Sequence, residues 1–466
     1  MAPTGSALSK VAYSGRMPTR PGDMTVETHG IAPVPTTNRY GSARRLFTVW
    51  FAPQVNMTVL FTGTLAFTLG LGFWLGLLAM TVGTVLGSLV VAYLSTWGPR
   101  TGTAQLPNAR MAFGGGVAVV AVIQWLSAIA WDGLVGLFGG EALAALLGIP
   151  FWVAVLILLA VQGAVGVFGY EVIHRVQAVM TVVLTLTFAV FTARLLSGHH
   201  VITPPTLGGA DLAGAFVMEV TIALSLGISW ASYASDYSRY LPARSSRAAV
   251  FGYTFAGLAL AYIAVQAIGI AAGGMLTDQT AEGVRAVMGG GTLGAVALLV
   301  IVLGSLASNA MNDYSGSLAL QTIGVKLRRP VSAAAVAVIA FALIMWLHAG
   351  DLTERFQSLL LFVSYWIPAF VAIVVIDWRR RSAGREVVNP AAENTSRVDA
   401  IAALVSFVIA FAAAVPFMNT SLFVGPVASW LHGADVAYFV NFVVAAVLYG
   451  GYRLSRARSG PRTSSE

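Results

Sequence analysis

The chain has 466 residues, 57% of them hydrophobic and 10% charged, with a net charge of +8 and no cysteine. A soluble protein of this length would divide into two or three domains and carry far more charge, so a soluble fold is excluded; disulfides, thiolate catalysis and cysteine metal sites go with the missing cysteines. Apolar runs of about 17–25 residues, the length that crosses a bilayer as a helix, recur along the whole chain, and the short alternating strands of an outer-membrane barrel do not.

Residues 1–40 are polar, rich in Pro, Thr and Gly, and have no apolar core. They are expected to be a disordered cytoplasmic tail rather than a signal peptide. Twelve membrane spans are predicted after it, at 47–70, 74–95, 113–138, 150–169, 176–196, 213–235, 249–272, 290–312, 331–348, 357–377, 399–417 and 434–452. Alternate loops then divide the basic residues unequally: of 27 Lys and Arg, only Arg194, Arg285 and Arg355 fall on the side opposite the N-terminus. Basic loops remain in the cytoplasm, so both termini are predicted to be cytoplasmic. The basicity is accounted for by topology; a nucleic-acid footprint would gather Lys and Arg on one folded face. His199 and His200 are adjacent in a polar loop, without the spacing of zinc ligands, and read as a solvated turn.

The first span carries Pro53-Gln54-Val55-Asn56. A proline removes a backbone donor and clashes one turn back, so a break is predicted there, freeing carbonyls that lipid cannot satisfy. The bland reading is a packed proline kink. The third span places Trp131 and Asp132 near its middle. Trp131 could stack on a planar ligand or pack on a neighbour, and Asp132 could carry a proton, touch a ligand, or bond a helix as a neutral donor. The sixth span, Ser225 to Pro242, has Gly227, Ser229, Ser232 and Ser235 around Trp230, as a discontinuous helix needs. Small residues for close packing would explain Gly and Ser but not the tryptophan. Spans one and six are five apart, and two five-helix repeats must be inverted because five is odd; interruptions in matching positions mark a transporter's central site. In the eighth span Ser305, Ser308, Asn309 and Asn312 share a face, with Asp313 beside them. Such polar groups are functional candidates by default, and Asn offers the donor and acceptor that suit a heterocycle edge.

At these residues the chain resembles the nucleobase–cation symporter family, in its purine–cytosine permease branch. The resemblance rests on Trp50-Phe51-Ala52, the Gly-rich second span through Arg110, the Ser-Asp-Tyr-Ser-Arg-Tyr block at 235–240 and the Ser-Asn-x-x-Asn-x-Tyr block at 308–314. It implies an all-α LeuT-type fold of twelve transmembrane helices: a tail at 1–40, a five-helix repeat at 41–200, its inverted partner at 201–380, two peripheral helices at 381–453 and a cytoplasmic tail at 454–466. Carried over by position, Trp131 resembles the aromatic that stacks on the base and Ser229-Trp230 the second wall. Asn309 and Asn312, with Ser308 and Asp313, resemble the groups that read the polar edge, and Asn56 a first-helix contact. The family's sodium site maps onto Ala52, Val55, Gly304, Ala307 and Ser308. The chain departs from the family pattern at Leu134 and Val135, where a Gln or Asn is usual, and in placing Asp132 directly after the tryptophan.

The expected function is import of a purine or cytosine-like base across the cell (plasma or inner) membrane by symport with sodium, favoured over a proton carried on Asp132. No cofactor, nucleic acid or enzyme activity is expected, and a monomer is favoured. The alternatives are a LeuT-type symporter for another small nitrogenous compound (allantoin, hydantoin, a vitamin precursor or an amino acid) and, less favoured, a channel. An amino-acid carboxylate would need first-helix amides at a Gly-rich break, and a channel a continuous polar stripe.

Overall fold

The computed structural model describes residues 30–165, 170–198, 201–276, 280–325, 329–383, 385, 388–390 and 393–458, and most of them are helical. In order the helices are α1 (Arg45–Phe51), α2 (Met57–Thr68), α3 (Gly72–Ser95), α4 (Trp97–Thr101), α5 (Gln105–Phe113), α6 (Val117–Leu147), α7 (Phe151–Val165), α8 (Tyr170–Gly198) and α9 (Gly209–Ser229). There follow α10 (Arg247–Ala272), α11 (Thr280–Val287), α12 (Gly291–Ile323), α13 (Arg329–His348), α14 (Leu352–Phe362), α15 (Ile367–Arg381), α16 (Arg397–Ala414), α17 (Pro426–Trp430) and α18 (Ala437–Arg458). Among the described residues nine helical stretches are long and apolar enough to cross a membrane, and Met57–Thr68, Phe151–Gly163 and Ala334–His348 are shorter apolar helices. These segments fall, in order, on the expected spans, the first, fourth and ninth of them on helices shorter than a full crossing. The third is longer than predicted: it begins after the glycine turn 114–116 and runs to Gly148, whose φ of 65° ends it. The tenth arrives as two pieces, α14 and α15.

Three groupings position the interior. First, α3 lies along α9 and α2 along α10, so close that a Cβ on Gly83 would sit 2.2 Å from the Val220 carbonyl oxygen and one on Gly269 2.0 Å from that of Leu60. Only glycine permits this backbone contact. The spans numbered one, two, six and seven therefore interlock. Second, α12 lies along α6, with α7 and α13 beside them. Third, α16 and α18 pack on each other and on α15 at the periphery.

The expected disordered tail differs from what is seen at its end. Residues 1–29 lie outside the described residues, but 30–40 are docked against the body. The Val34 amide donates to Gly102 O (2.8 Å), Arg39 Nη1 to Pro99 O (2.7 Å), and the Tyr40 amide to Tyr240 O (2.7 Å). These bonds use main-chain acceptors, which composition does not register. His199 and His200, and residues 459–466 of the C-terminal tail, also lie outside the described residues; 454–458 continue α18.

Candidate transport site

The first span breaks at the proline. After α1 the chain makes a 3-10 turn over Ala52–Gln54, Val55 leaves helical geometry (φ −87°, ψ 71°), and Asn56 is extended (φ −142°, ψ 171°). Asn56 holds the break open with its own amide. Its Oδ1 accepts from the Val59 amide at 2.9 Å, and its Nδ2 donates to the Pro53 carbonyl. Both ends are thus used locally, so this residue shapes the break rather than presenting a free edge.

The sixth span breaks at the position predicted. α9 stops at Ser229, a 3-10 turn covers Trp230–Tyr233, and irregular turns run to Leu241. Ser229 Oγ donates back to Leu226 O at 2.7 Å. The Trp230 indole donates to the Tyr262 hydroxyl (2.8 Å) and Trp50 lies edge-on against it, ring centroids 5.6 Å apart. Trp230 is therefore a fixed apolar wall with its polar edge already used. The 235–240 block is a buried knot rather than a ligand group. Ser235 Oγ donates to Leu94 O, Asp236 Oδ1 accepts from the Gln105 amide, Tyr237 donates to Met311 O, and Arg239 donates to the Tyr314 hydroxyl (2.8 Å).

The polar groups of the eighth span converge with two others. Asn309 Nδ2 donates to Gln162 Oε1 on α7 (3.0 Å) and to the Asp132 carbonyl on α6 (3.3 Å). Gln162 Nε2 donates to Asp313 Oδ2 (3.1 Å), and Asn312 Nδ2 to Asn309 Oδ1 (3.3 Å). Asp132 joins this chain through its own main-chain carbonyl, and its carboxyl Oδ1 is buried without a hydrogen-bond partner. Tyr233, in the turn of the sixth span, packs edge-on against Trp230, ring centroids 5.6 Å apart. Asp132 is 1% exposed. Its neighbour Trp131 is half-buried at the edge of the apolar core.

The candidate cation residues come from adjacent elements: the turn at 52–54 touches both α8 and α12. Ser308 is buried on α12. On the same helix a Cβ built at Gly304 would lie 3.0 Å from Leu184 of α8. The Ala52 carbonyl accepts from the Val55 amide at 3.1 Å. The Ala307 carbonyl accepts from Gln177 Nε2 of α8 at 2.8 Å. The Ala307 carbonyl, one of the expected cation ligands, therefore already has a hydrogen-bond donor.

Sequence reasoning missed Gln162, Gln177 and Tyr233. The two glutamines stand in apolar runs and carry the same signal as Asp132, an amide or acid inside a span. Tyr233 carried no signal of its own, because tyrosine is common in such helices.

A helical membrane protein with two spans broken at a common polar centre has the build of a substrate transporter. Residues 33–441 match the model of a family described as permeases for cytosine/purines, uracil, thiamine and allantoin, and the chain belongs to that family. Its relatives are permeases, and this chain is a transporter rather than an enzyme. YxlA of Bacillus subtilis (strain 168) is 27% identical over 443 residues, 91% of this chain and 95% of its own. The purine-cytosine permease fcyB of Emericella nidulans is 26% identical, over 92% and 88% of the two chains. Among solved structures the fold is that of Mhp1, a nucleobase-cation-symport-1 family transporter, in a closed conformation with bromovinylhydantoin bound. The TM-score is 0.73 at 16% identity, over 95% of this chain and 98% of that one.

Asn309 is expected to be the most sensitive of the polar candidates. Asn309→Ala strands Gln162 Oε1 and Asn312 Nδ2, and an orphaned buried polar group costs about 1–3 kcal/mol. Base affinity measured by calorimetry should fall accordingly. A severe Asn312→Ala beside a neutral Asn309→Ala would place the reading group one helical turn further on.

Proposed function

We propose that the protein imports a purine or cytosine-like nucleobase by cation symport, with alternating access. The observation that carries this reading is the amide–carboxyl chain Asn312–Asn309–Gln162–Asp313, alternating donors and acceptors and bonded to the Asp132 carbonyl one residue after Trp131. A flat heterocycle needs such a pairing: an aromatic face and, at its rim, groups that both give and accept hydrogen bonds. Substrate contacts are assigned to Trp131, Ser229, Trp230, Asn309, Asn312, Ser308 and Asp313, with Asn56 shaping the pocket.

The moving unit is the interlocked group of spans one, two, six and seven, rocking against the α6–α12 pair. Alternating access of this kind needs one rigid body to turn on another around a fixed site. Both termini face the cytoplasm of the plasma or inner membrane, on the distribution of basic residues, and the working unit is a monomer. The coupling cation is sodium or a proton. Sodium draws support from the first-helix break and Ser308, while the Gln177–Ala307 contact weighs against it.

The second reading, another small nitrogenous compound, draws on the thiamine and allantoin in the family's description. The deciding experiment is uptake by proteoliposomes of labelled cytosine, adenine, hypoxanthine, uracil, allantoin and thiamine, under a sodium or a proton gradient. Accumulation of a purine or cytosine is the expected result. Accumulation of allantoin or thiamine alone would transfer the assignment to the second reading.

A further inference from the structure

We infer that the protein carries a further ligand site, for a phosphate group, in an arginine-lined cavity where the end of span two meets the start of span seven. The basic loops assign this end of the molecule to the cytoplasm. The cavity holds about 120 Å³, and its lining includes Thr96, Arg100, Arg244, Ser245, Arg247 and Val250. Thr96 and Arg100 follow α3, Arg244 and Ser245 lie in the loop after the broken sixth span, and Arg247 is the first residue of α10. None of these residues belongs to the polar centre around Asn309.

Three guanidiniums border this space and no carboxylate does. Arginine stays protonated in proteins, so their repulsion is not relieved by loss of a proton. Arg100 is only 6% exposed. Its Nη2 donates to the carbonyls of Ser382 (3.3 Å) and Arg385, and its guanidinium lies over the Trp378 ring, 4.9 Å from the centroid. These neutral partners fix the group at the cavity wall. Arg244 and Arg247 are exposed, and among the described residues neither side chain has an ion pair or a hydrogen bond. The carboxylates on adjoining elements are engaged elsewhere: Asp236 by the Gln105 amide, Asp377 by Arg381 and Arg453, and Glu393 by Arg381 and Arg385. Arginines that serve only to set orientation can stand apart in water, where salt screens them. These three converge on one concavity, with one of them sunk into the protein.

A phosphate group answers this lining. Each guanidinium presents paired N–H donors that fit two phosphate oxygens at once. Ser245 adds a hydroxyl to the wall. The amino terminus of α10 adds the positive end of a helix dipole, with the Ser246 cap taking the Ala249 amide (3.3 Å). Two sources share the chemistry: the headgroup of an anionic phospholipid in the adjoining leaflet, and a soluble phosphate. Either ties the loop after span two to the loop after span six, both of them in the interlocked group of spans, and leaves the nucleobase centre untouched.

The test needs no nucleobase. The full-length protein, purified in detergent and freed of lipid, is titrated with sodium phosphate against sodium chloride of equal ionic strength. A second titration uses micelles containing phosphatidylglycerol against micelles containing phosphatidylcholine, and the thermal midpoint is read in both. At least one probe should raise the wild-type midpoint in a saturable way, and the double variant Arg244→Gln/Arg247→Gln should lose the rise. Arg244→Gln alone should raise the half-saturating concentration by about tenfold, as loss of one charge-assisted contact implies. A response to sodium phosphate assigns the soluble source, and a response to phosphatidylglycerol alone assigns the lipid headgroup. Both side chains are exposed, so without any probe the double variant should keep the wild-type midpoint or exceed it. Should it not fold, the comparison with Arg244→Gln decides. A wild type that responds to neither probe, or responses equal in wild type and variants, would overturn the inference.

Discussion

Asp377→Ala should lower the thermal midpoint of the purified protein by several degrees, the largest loss expected from any single truncation. Asp377 is 1% exposed, accepts from Arg381 Nε (2.6 Å) and from Arg453 Nη2 (2.7 Å), and takes the Tyr449 hydroxyl at 3.3 Å. It thus ties α15 to α18. Removing the carboxylate takes their shared partner from two guanidiniums, leaving Arg381 with Glu393 and Arg453 with Asp399, and breaking a buried ion pair costs up to about 3–5 kcal/mol. Glu393 cannot take over. Its own burial would raise its carboxyl, but Arg381 and Arg385 outweigh this and hold it below the usual carboxylate range, already engaged. Asp377→Asn keeps the shape but not the charge and should fall between the two. A midpoint unchanged in Asp377→Ala would show that the network contributes nothing to holding α18.

Trp131→Ala should weaken base binding by tenfold or more while leaving the protein folded. An aromatic platform is worth about 1–3 kcal/mol per stacked base. The side chain is half-buried and packs only against the rim of the core, so its loss opens little interior space. Trp131→Phe should restore most of the affinity. Titration of an accumulated base against the purified variants checks both. Equal affinity in wild type and Trp131→Ala would remove the tryptophan from the site and leave Trp230 as the wall.

The two broken helices were legible because their cause is local. Pro53 cannot donate and Trp230 sits among small polar residues, and each disturbs its own helix wherever the chain goes. The eighth-span face was legible through its spacing. What joins these pieces was not. Asn309 meets Gln162 across 147 positions of sequence and Gln177 meets Ala307 across 130, and no local pattern encodes a partner at that distance. The role expected of Asn56 differs for a related reason. An Asn before a helix is as good a cap as it is a ligand group, and only the backbone angles, extended at 56 and helical from 57, show which use is made of it. The cation positions were carried over as main-chain atoms, and a carbonyl's occupancy is invisible in a string of side chains.

The glycine contacts between α3 and α9 and between α2 and α10 have a practical corollary for following the protein at work. Helices whose backbones touch cannot slide without clashing, so the four spans they join act as one lever whose parts keep fixed separations. The chain has no native cysteine to remove, and thiol-specific spin labels can be introduced in pairs at will. A pair within the lever, on the outward-facing sides of α3 and α10, serves as an internal ruler of constant length. A pair split between α3 and α8 reads the stroke of the lever directly, in the same sample and by the same spectroscopy.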